Sequence, residues 1–142
     1  MKLSIGSDHA GFTLKEVIKT KLSKENFVIN DCGTYSLDSV DYPDFAHKVA
    51  TSVVNKEVEL GILVCGTGNG VAIAANKHKG IRAALCWNKE IAALAKQHNN
   101  ANIISLPARF ITDNEAIEII NTFLNATFEG NRHQKRIEKI DL

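Results

Sequence analysis

The chain has 142 residues, of which 44% are hydrophobic and 23% charged, and its 17 Lys and Arg nearly balance 16 Asp and Glu. A net charge of +1 provides no general attraction for nucleic acid, and no apolar run approaches the roughly 20 residues of a membrane span. Three cysteines without a CxxC pair favour free thiols in a cytoplasmic protein over disulfides or a zinc site. We therefore expect one domain over residues 1–142, with neither a nucleic-acid nor a membrane partner.

Five short aliphatic runs alternate with helical patterns along the chain. The runs cover residues 2–6, 27–32, 60–65, 82–86 and 102–106, and apolar residues recur at helical spacing between them. Thr112 followed by Glu115 predicts a capping box for the last of these helices. The alternation predicts an α/β fold, a Rossmann-like three-layer sandwich with a five-stranded parallel sheet covered on both faces. The basic segment 130–140 predicts an extra C-terminal helix.

A glycine-rich loop, Gly66, Gly68 and Gly70, follows the third aliphatic run. A phosphate-binding loop would need a Lys-Ser/Thr pair where Val71 and Ala72 stand, and a dinucleotide fingerprint would need glycine at 71 or 73. Both nucleotide interpretations therefore fit poorly. Because ligands of open α/β sheets bind beyond the carboxyl ends of the strands, we still expect this loop to bring its backbone close to a ligand.

Cys65 stands at the end of the third run, directly before the glycine loop. Backbone N–H groups and the start of a helix there favour negative charge, which lowers a thiol pKa from its usual value of about 8.5. Cys65 is therefore a candidate base or nucleophile. Cys32 and Cys86 also stand at strand ends, and we expect them to be small buried apolar residues.

Other polar residues allow two interpretations each. Asp8 and His9 end the first run, as a helix cap with an incidental histidine or as a polar pair facing the same crevice as Cys65. His98 continues an apolar helical stripe, so it is a packed residue or a catalytic one. Arg132 and Arg136 are four apart and share one helix face, either as a clamp for a dianion or as a solvated basic surface.

Six segments of the chain form a recognisable set: "GSDHAG" (6–11), "DYPDFA" (41–46), "CGTGNG" (65–70) with "IAANK" (73–77), "HNNAN" (98–102), "PARF" (107–110) and "RHQKR" (132–136). Together they resemble the ribose-5-phosphate isomerase B family of sugar-phosphate isomerases. They occur in order, at compatible spacing, from one end of the chain to the other. The resemblance implies interconversion of ribose 5-phosphate and ribulose 5-phosphate through a cis-enediolate, a step of the non-oxidative pentose phosphate pathway. It implies no metal and no organic cofactor.

The resemblance also implies a role for each matching residue. Cys65 would be the base that moves a proton between C2 and C1, supported by Thr67, and His98 would help to open the furanose ring. The family's other branch uses a glutamate where Val71 stands here, which places this chain in the cysteine branch. The remaining implied roles are an anion hole from the amides of Gly66, Thr67, Gly68, Asn69 and Gly70, hydroxyl binding by Asp8, Tyr42 and Asn99, and phosphate binding by His9, Arg109, Arg132 and Arg136.

The sequence leaves the substrate open. Asn69, Asn100 and Pro107 depart from the residues frequent in the family, and relatives act on hexose 6-phosphates such as allose or galactose 6-phosphate with the same catalytic groups. A non-catalytic phosphosugar- or nucleotide-binding module on the same fold is the alternative from another class. In that case Cys65 would be dispensable.

The geometry of βαβ units predicts that no single chain has a complete site. Cys65 ends a strand and so lies at the carboxyl edge of the sheet. His98 ends a helix that begins near Asn88, about 11 residues earlier at ~1.5 Å each, which puts His98 ~16 Å away near the amino edge. The same reasoning puts Arg132 and Arg136 near that edge. We therefore expect a homodimer, or a dimer of such dimers, in which active sites are shared between subunits.

Overall fold

The computed structural model describes residues 1–142 and contains one five-stranded parallel sheet in the order β2-β1-β3-β5-β4. The predicted α/β fold is confirmed. The strands are β1 Lys2–Ser7, β2 Val28–Asp31, β3 Leu60–Cys65, β4 Ala83–Leu85 and β5 Ile103–Pro107. The helices are α1 Phe12–Lys24, α2 Tyr42–Val54, α3 Asn69–Ala75, α4 Lys89–Asn99, α5 Asp113–Asn125 and α6 Arg132–Ile137.

Two hydrophobic clusters sandwich the sheet. Alternate side chains of β3 point to opposite faces, so that Ile62 packs with α1, α4 and α5 while Leu63 packs with α2 and α3. Every residue of β3 is buried, as expected of a central parallel strand. None of the six helices is long and apolar enough to cross a membrane.

The element ends follow from local chemistry. Thr112 and Glu115 form the predicted capping box, each side chain bonding the other's backbone N–H at 3.1 Å. Strand β4 is shorter than the run 82–86 predicts, and the amide side chain of Asn76 pairs with both backbone groups of Ala83 at 2.8 and 2.9 Å. This pairing occupies the outer edge of β4. The C-terminal helix α6 is present but stops at Ile137, before the basic pattern ends.

The sheet register brings three loops together at the carboxyl edge. Ser7 pairs with Val64, and Cys65 pairs with Pro107, so the chain leaves β1, β3 and β5 at the same level. At the opposite edge of the sheet, where β4 and β5 begin, the backbone N–H of Arg82 donates to the side-chain oxygen of Asn102 at 2.8 Å.

Lys15 is fully buried, although its side chain is charged. Its Nζ lies 2.9 and 2.8 Å from the two carboxylate oxygens of Asp31 and 2.9 Å from Glu16. Burial acts to raise the pKa of Asp31, but hydrogen bonds from Lys15, Lys19 and the Gly33 amide outweigh it and hold that pKa below its ordinary value. The ammonium group is thus neutralised where it is buried.

We predict that Lys15→Met lowers the free energy of unfolding by about 2 kcal/mol at neutral pH, because Asp31 then loses its buried charged hydrogen-bond partner and keeps only Lys19 as a compensating cation. The folded pKa of Asp31 lies below its ordinary 3.8, so this stabilisation is present above that pH and is lost as the pH falls through the folded value. The difference between wild type and variant should therefore shrink only in acid. Urea unfolding across pH measures it.

The matched control is Lys21→Met, since Lys21 forms an exposed ion pair with Glu25 at 3.1 Å. It should cost less than about 0.5 kcal/mol. Equal losses in the two variants would contradict the role assigned to the buried pair.

Candidate active site

A cavity of about 210 Å³ opens at the carboxyl edge of the sheet, where β1, β3 and β5 end. It brings together eight of the residues that the sequence singled out and leaves the others elsewhere. Its lining is Asp8, His9, Ala10, Tyr42, Cys65, Gly66, Thr67, Gly70 and Arg109.

The thiol of Cys65 is held at the entrance of the glycine loop. Its Sγ accepts the backbone N–H of Gly68 at 3.1 Å, and the residue is 5% exposed. An N–H donated to sulfur stabilises negative charge there. Gly68 has φ +75°, and an added Cβ would meet the Leu85 side chain and lie 3.1 Å from the Leu106 backbone. Only glycine fits this position.

Three carbonyl oxygens of the loop face β5 and the turn that follows it. The amide of Ala108 donates to Cys65 O at 2.9 Å, and the amide of Arg109 donates to Gly66 O at 3.0 Å. The Ser105 hydroxyl donates to the Gly68 carbonyl at 2.5 Å. Because C=O and N–H point in opposite directions within a peptide plane, the amides that follow Cys65 and Gly66 are turned away from β5.

Three backbone N–H groups of the glycine loop make no hydrogen bond within the chain. The N–H groups of Gly66, Thr67 and Gly70 have no hydrogen-bond acceptor within the chain, whereas Gly68 N–H bonds the thiol and Asn69 N–H bonds the Thr67 hydroxyl at 3.2 Å. Unused backbone donors beside a cavity can stabilise an oxyanion. The loop therefore offers three amides to a ligand.

The other two loop glycines make room for side chains. A Cβ on Gly66 would lie 2.9 Å from the Arg109 guanidinium, and one on Gly70 would lie 2.6 Å from the Tyr42 ring. Both side chains thus cover the loop backbone directly. This close approach places one cation and one phenol at the cavity wall.

Asp8 and His9 are oriented by backbone amides. One Asp8 oxygen accepts the Gly11 N–H at 3.0 Å, closing the turn before α1, so Asp8 is both a turn-capping residue and a cavity residue. The Nδ1 of His9 accepts the Val40 N–H at 3.2 Å. In its neutral form, His9 therefore carries its proton on Nε2, which makes that nitrogen a hydrogen-bond donor.

His98 and Asn99 do not reach this cavity. Asn99 and Asn100 accept hydrogen bonds from the Arg82 side chain at 3.0 and 2.9 Å, which fixes the end of α4 at the amino edge of β4. Cys65 pairs with Pro107 at the far end of β5, about 13 Å further along the strand. The structure thus places His98 and Cys65 at opposite edges of the sheet, as the βαβ geometry predicts. Arg132 and Arg136, on α6, are exposed, and Asn69 lies outside the cavity lining.

A second polar cluster surrounds His98. Its ring stacks on His133 with centroids 4.2 Å apart and planes 11° apart, and its Nε2 lies 3.7 Å from Glu129. Burial and the charges of His98 and Arg132 hold the pKa of His133 below its ordinary value, and its Nε2 has no hydrogen-bond partner. The ligand atoms of the cluster lie within 4.8 Å of one another, but a metal ion cannot lie in both of two stacked, nearly parallel ring planes.

Sequence reasoning missed Ser105, Val40, Glu129 and His133. Only His133 had a signal, because it stands inside the matching segment "RHQKR". The expectation for the other cysteines holds for Cys86, whose burial raises its pKa to about 12. Cys32 is only partly buried, although burial raises its pKa as well.

We predict that iodoacetamide at about pH 8 labels Cys65 before Cys32 or Cys86, because the thiolate is the form that reacts. Cys65 lines the cavity and receives the Gly68 N–H on its sulfur, whereas the pKa values of Cys32 and Cys86 are raised. Peptide mass spectrometry over time measures the order of labelling. The variant Cys65→Ser should stay unlabelled over the interval in which wild type reacts. Earlier labelling of Cys32 or Cys86 would contradict the assignment.

Comparison with known proteins agrees with this geometry. A family model described as Ribose/Galactose Isomerase matches residues 3–140. Ribose-5-phosphate isomerase B of Escherichia coli is 43% identical over 139 residues, covering 98% of this chain and 93% of that protein. The ribose 5-phosphate isomerase structure from Thermotoga maritima has a TM-score of 0.97 at 53% identity, covering 99% and 97% of the two chains. The Mycoplasma genitalium ribose-5-phosphate isomerase B structure with bound ribulose-5-phosphate has a TM-score of 0.94 at 52% identity, covering 98% and 93%. Because the family model matches nearly the whole chain and these structures share its fold at 53% and 52% identity, the chain belongs to the ribose/galactose isomerase family.

Proposed function

We propose that the protein interconverts ribose 5-phosphate and ribulose 5-phosphate, a step of the non-oxidative pentose phosphate pathway. The observation that carries the proposal is a thiol beside three unused backbone amides, all facing one small cavity. The names of the E. coli and T. maritima relatives, and the ribulose-5-phosphate bound to the M. genitalium relative, support this substrate.

The cavity suits proton transfer through an enediolate. Cys65, as thiolate, removes the proton from C2 of the open-chain aldose, and the C1 carbonyl oxygen gains the negative charge. The C2 hydroxyl then passes its proton to the C1 oxygen, and Cys65 returns the carbon-bound proton to C1, so that the C2 oxygen becomes the carbonyl of the ketose. The enediolate oxygens lie against the amides of Gly66, Thr67 and Gly70, where losing one such donor typically costs ~3 kcal/mol. The Thr67 hydroxyl accepts the Asn69 N–H, so its own hydrogen remains available to the ligand.

The remaining cavity residues hold the rest of the sugar phosphate. Asp8 accepts hydrogen bonds from sugar hydroxyls, since its second oxygen bonds nothing in the chain, and Tyr42 adds a phenol beside it. The Nε2–H of His9 and the guanidinium of Arg109 bind phosphate oxygens, because a donor and a cation complement that group.

A partner subunit completes the site in this proposal. His98 opens the furanose ring, Asn99 binds a hydroxyl, and Arg132 and Arg136 clamp the phosphate dianion. All four belong to the amino edge of their own chain, and neither arginine forms an ion pair within the chain. A two-fold dimer would bring each amino-edge group to the other chain's cavity twice. We infer a homodimer of this kind, built from one catalytic domain of residues 1–142 that works in the cytoplasm.

The first test is a comparison of kcat/KM for ribose 5-phosphate, allose 6-phosphate and galactose 6-phosphate. We expect ribose 5-phosphate to be favoured, with activity unchanged by EDTA because every proposed step uses a group of the chain. A higher value for a hexose phosphate would reassign the substrate within the family. No turnover of any of the three, with phosphosugar binding retained, would instead support a binding module.

The second test mixes two variants that we expect to be inactive, Cys65→Ala and His98→Ala, after dissociating and reassociating the chains. A hybrid dimer would hold one site with both wild-type groups and one with neither. Activity should then return towards about a quarter of wild type if the subunits mix at random. Reassociating each variant alone is the control. Verified hybrids that remain inactive would refute the shared site.

A further inference from the structure

We propose that Ser105 is a positioning residue of this site, whose hydroxyl holds the glycine loop in the form that receives the enediolate. The proposal rests on the isomerase function proposed above. Ser105 itself does not line the cavity, so it acts through the loop rather than on the substrate.

Ser105 is a polar residue in an otherwise apolar strand. Strand β5 is buried along its whole length, and Ser105 is 0% exposed between Ile104 and Leu106. Its hydroxyl makes one hydrogen bond, donated to the carbonyl of Gly68 at 2.5 Å. A buried hydroxyl in such a strand is costly unless it is bonded. The role of the Ser105 hydroxyl is therefore to bind the Gly68 carbonyl.

That partner is the residue around which the loop turns. Gly68 donates its N–H to the Cys65 sulfur at 3.1 Å and accepts the Ser105 hydroxyl through its carbonyl. The two bonds fix the backbone on both sides of a residue at φ +75°. The Gly68 carbonyl shares its peptide plane with the Asn69 N–H, which bonds Thr67. By fixing the Gly68–Asn69 peptide, the Ser105 hydroxyl helps to orient both the Cys65 thiol and the Thr67 hydroxyl.

Removing the hydroxyl should loosen this arrangement. In Ser105→Ala the Gly68 carbonyl loses a buried partner, and the peptide is free to rotate towards another donor. Misplacement of catalytic groups by about 1 Å can cost 100-fold in rate. Phosphate binding should be spared, since His9 and Arg109 do not contact Ser105 by hydrogen bonds.

A purely structural serine would behave differently, and Ser52 is a matched example. It is also buried, and its hydroxyl donates to a backbone carbonyl, Val49 O, at 2.7 Å. It lies on α2 beside Ser4, near the start of β1 rather than at the carboxyl edge. Ser52→Ala therefore removes the same kind of bond, together with a 2.7 Å contact to the Ser4 hydroxyl, without touching the loop.

The experiment compares Ser105→Ala, Ser105→Cys and Ser52→Ala in kcat, KM for ribose 5-phosphate, and the inhibition constant of a phosphorylated four-carbon hydroxamate that mimics the enediolate. For Ser105→Ala we expect kcat to fall about 10- to 100-fold with KM within about threefold, and hydroxamate affinity to fall with kcat. The hydroxamate needs no ring opening, so its affinity reports on the loop even where ring opening limits kcat. Ser105→Cys keeps a donor at the same position, although a larger and weaker one, and should lie between wild type and Ser105→Ala.

Ser52→Ala should lower the melting temperature while leaving all three values unchanged. Wild-type kcat and hydroxamate affinity in Ser105→Ala, whatever its melting temperature, would overturn the proposal. If Ser105→Ala does not fold, wild-type values in Ser105→Cys would overturn it equally. An inactive wild type would instead disprove the isomerase function, and with it this inference.

Discussion

The whole site depends on the pairing between the end of β3 and β5. Register places Cys65 opposite Pro107, and from there the turn after β5 binds the carbonyls of Cys65 and Gly66. Those bonds turn carbonyls towards the sheet and amides towards the cavity. A loop of free amides would otherwise be a loose, hydrated segment. Here its donors are aimed before any ligand arrives, which is the condition under which hydrogen bonds stabilise a developing anion most.

The position of Asp8, at the end of β1, depends on the buried ion pair between Lys15 and Asp31. Asp31, neutralised by Lys15, accepts the Gly33 amide at 2.9 Å, and the Gly33 carbonyl accepts the Ser7 amide at 2.7 Å. Ser7 is the last residue of β1, directly before Asp8. The ion pair beneath α1 therefore steadies the backbone that presents the cavity's carboxylate. The contacts that stabilise the fold around Lys15 therefore also position the Asp8 carboxylate.

The amino edge carries a second set of groups that the fold alone cannot bring to the thiol. His98 lies at the end of α4, stacked on a buried His133 and close to Glu129. Helices of parallel α/β units run back from the carboxyl edge, so residues at their ends are separated from the strand ends by the length of the sheet. In the proposed function a second chain removes this separation, which makes assembly part of the catalytic mechanism.

The strands, the three-layer arrangement and the cysteine–glycine loop could all be predicted from the sequence. Strand and helix periods are local, the capping box of Thr112 and Glu115 spans three residues, and Cys65 is contiguous with its glycines. The tertiary structure decided which groups hold those parts in place. Ser105 bonds Gly68 across 37 positions, and Val40 bonds His9 across 31. Such pairs depend on the register between strands and on the path of the loops. The spacing of residue types along the sequence gives no information on either. The separation between Cys65 and His98 differs from these pairs, because it follows from the length and direction of helices and strands that the sequence pattern predicts.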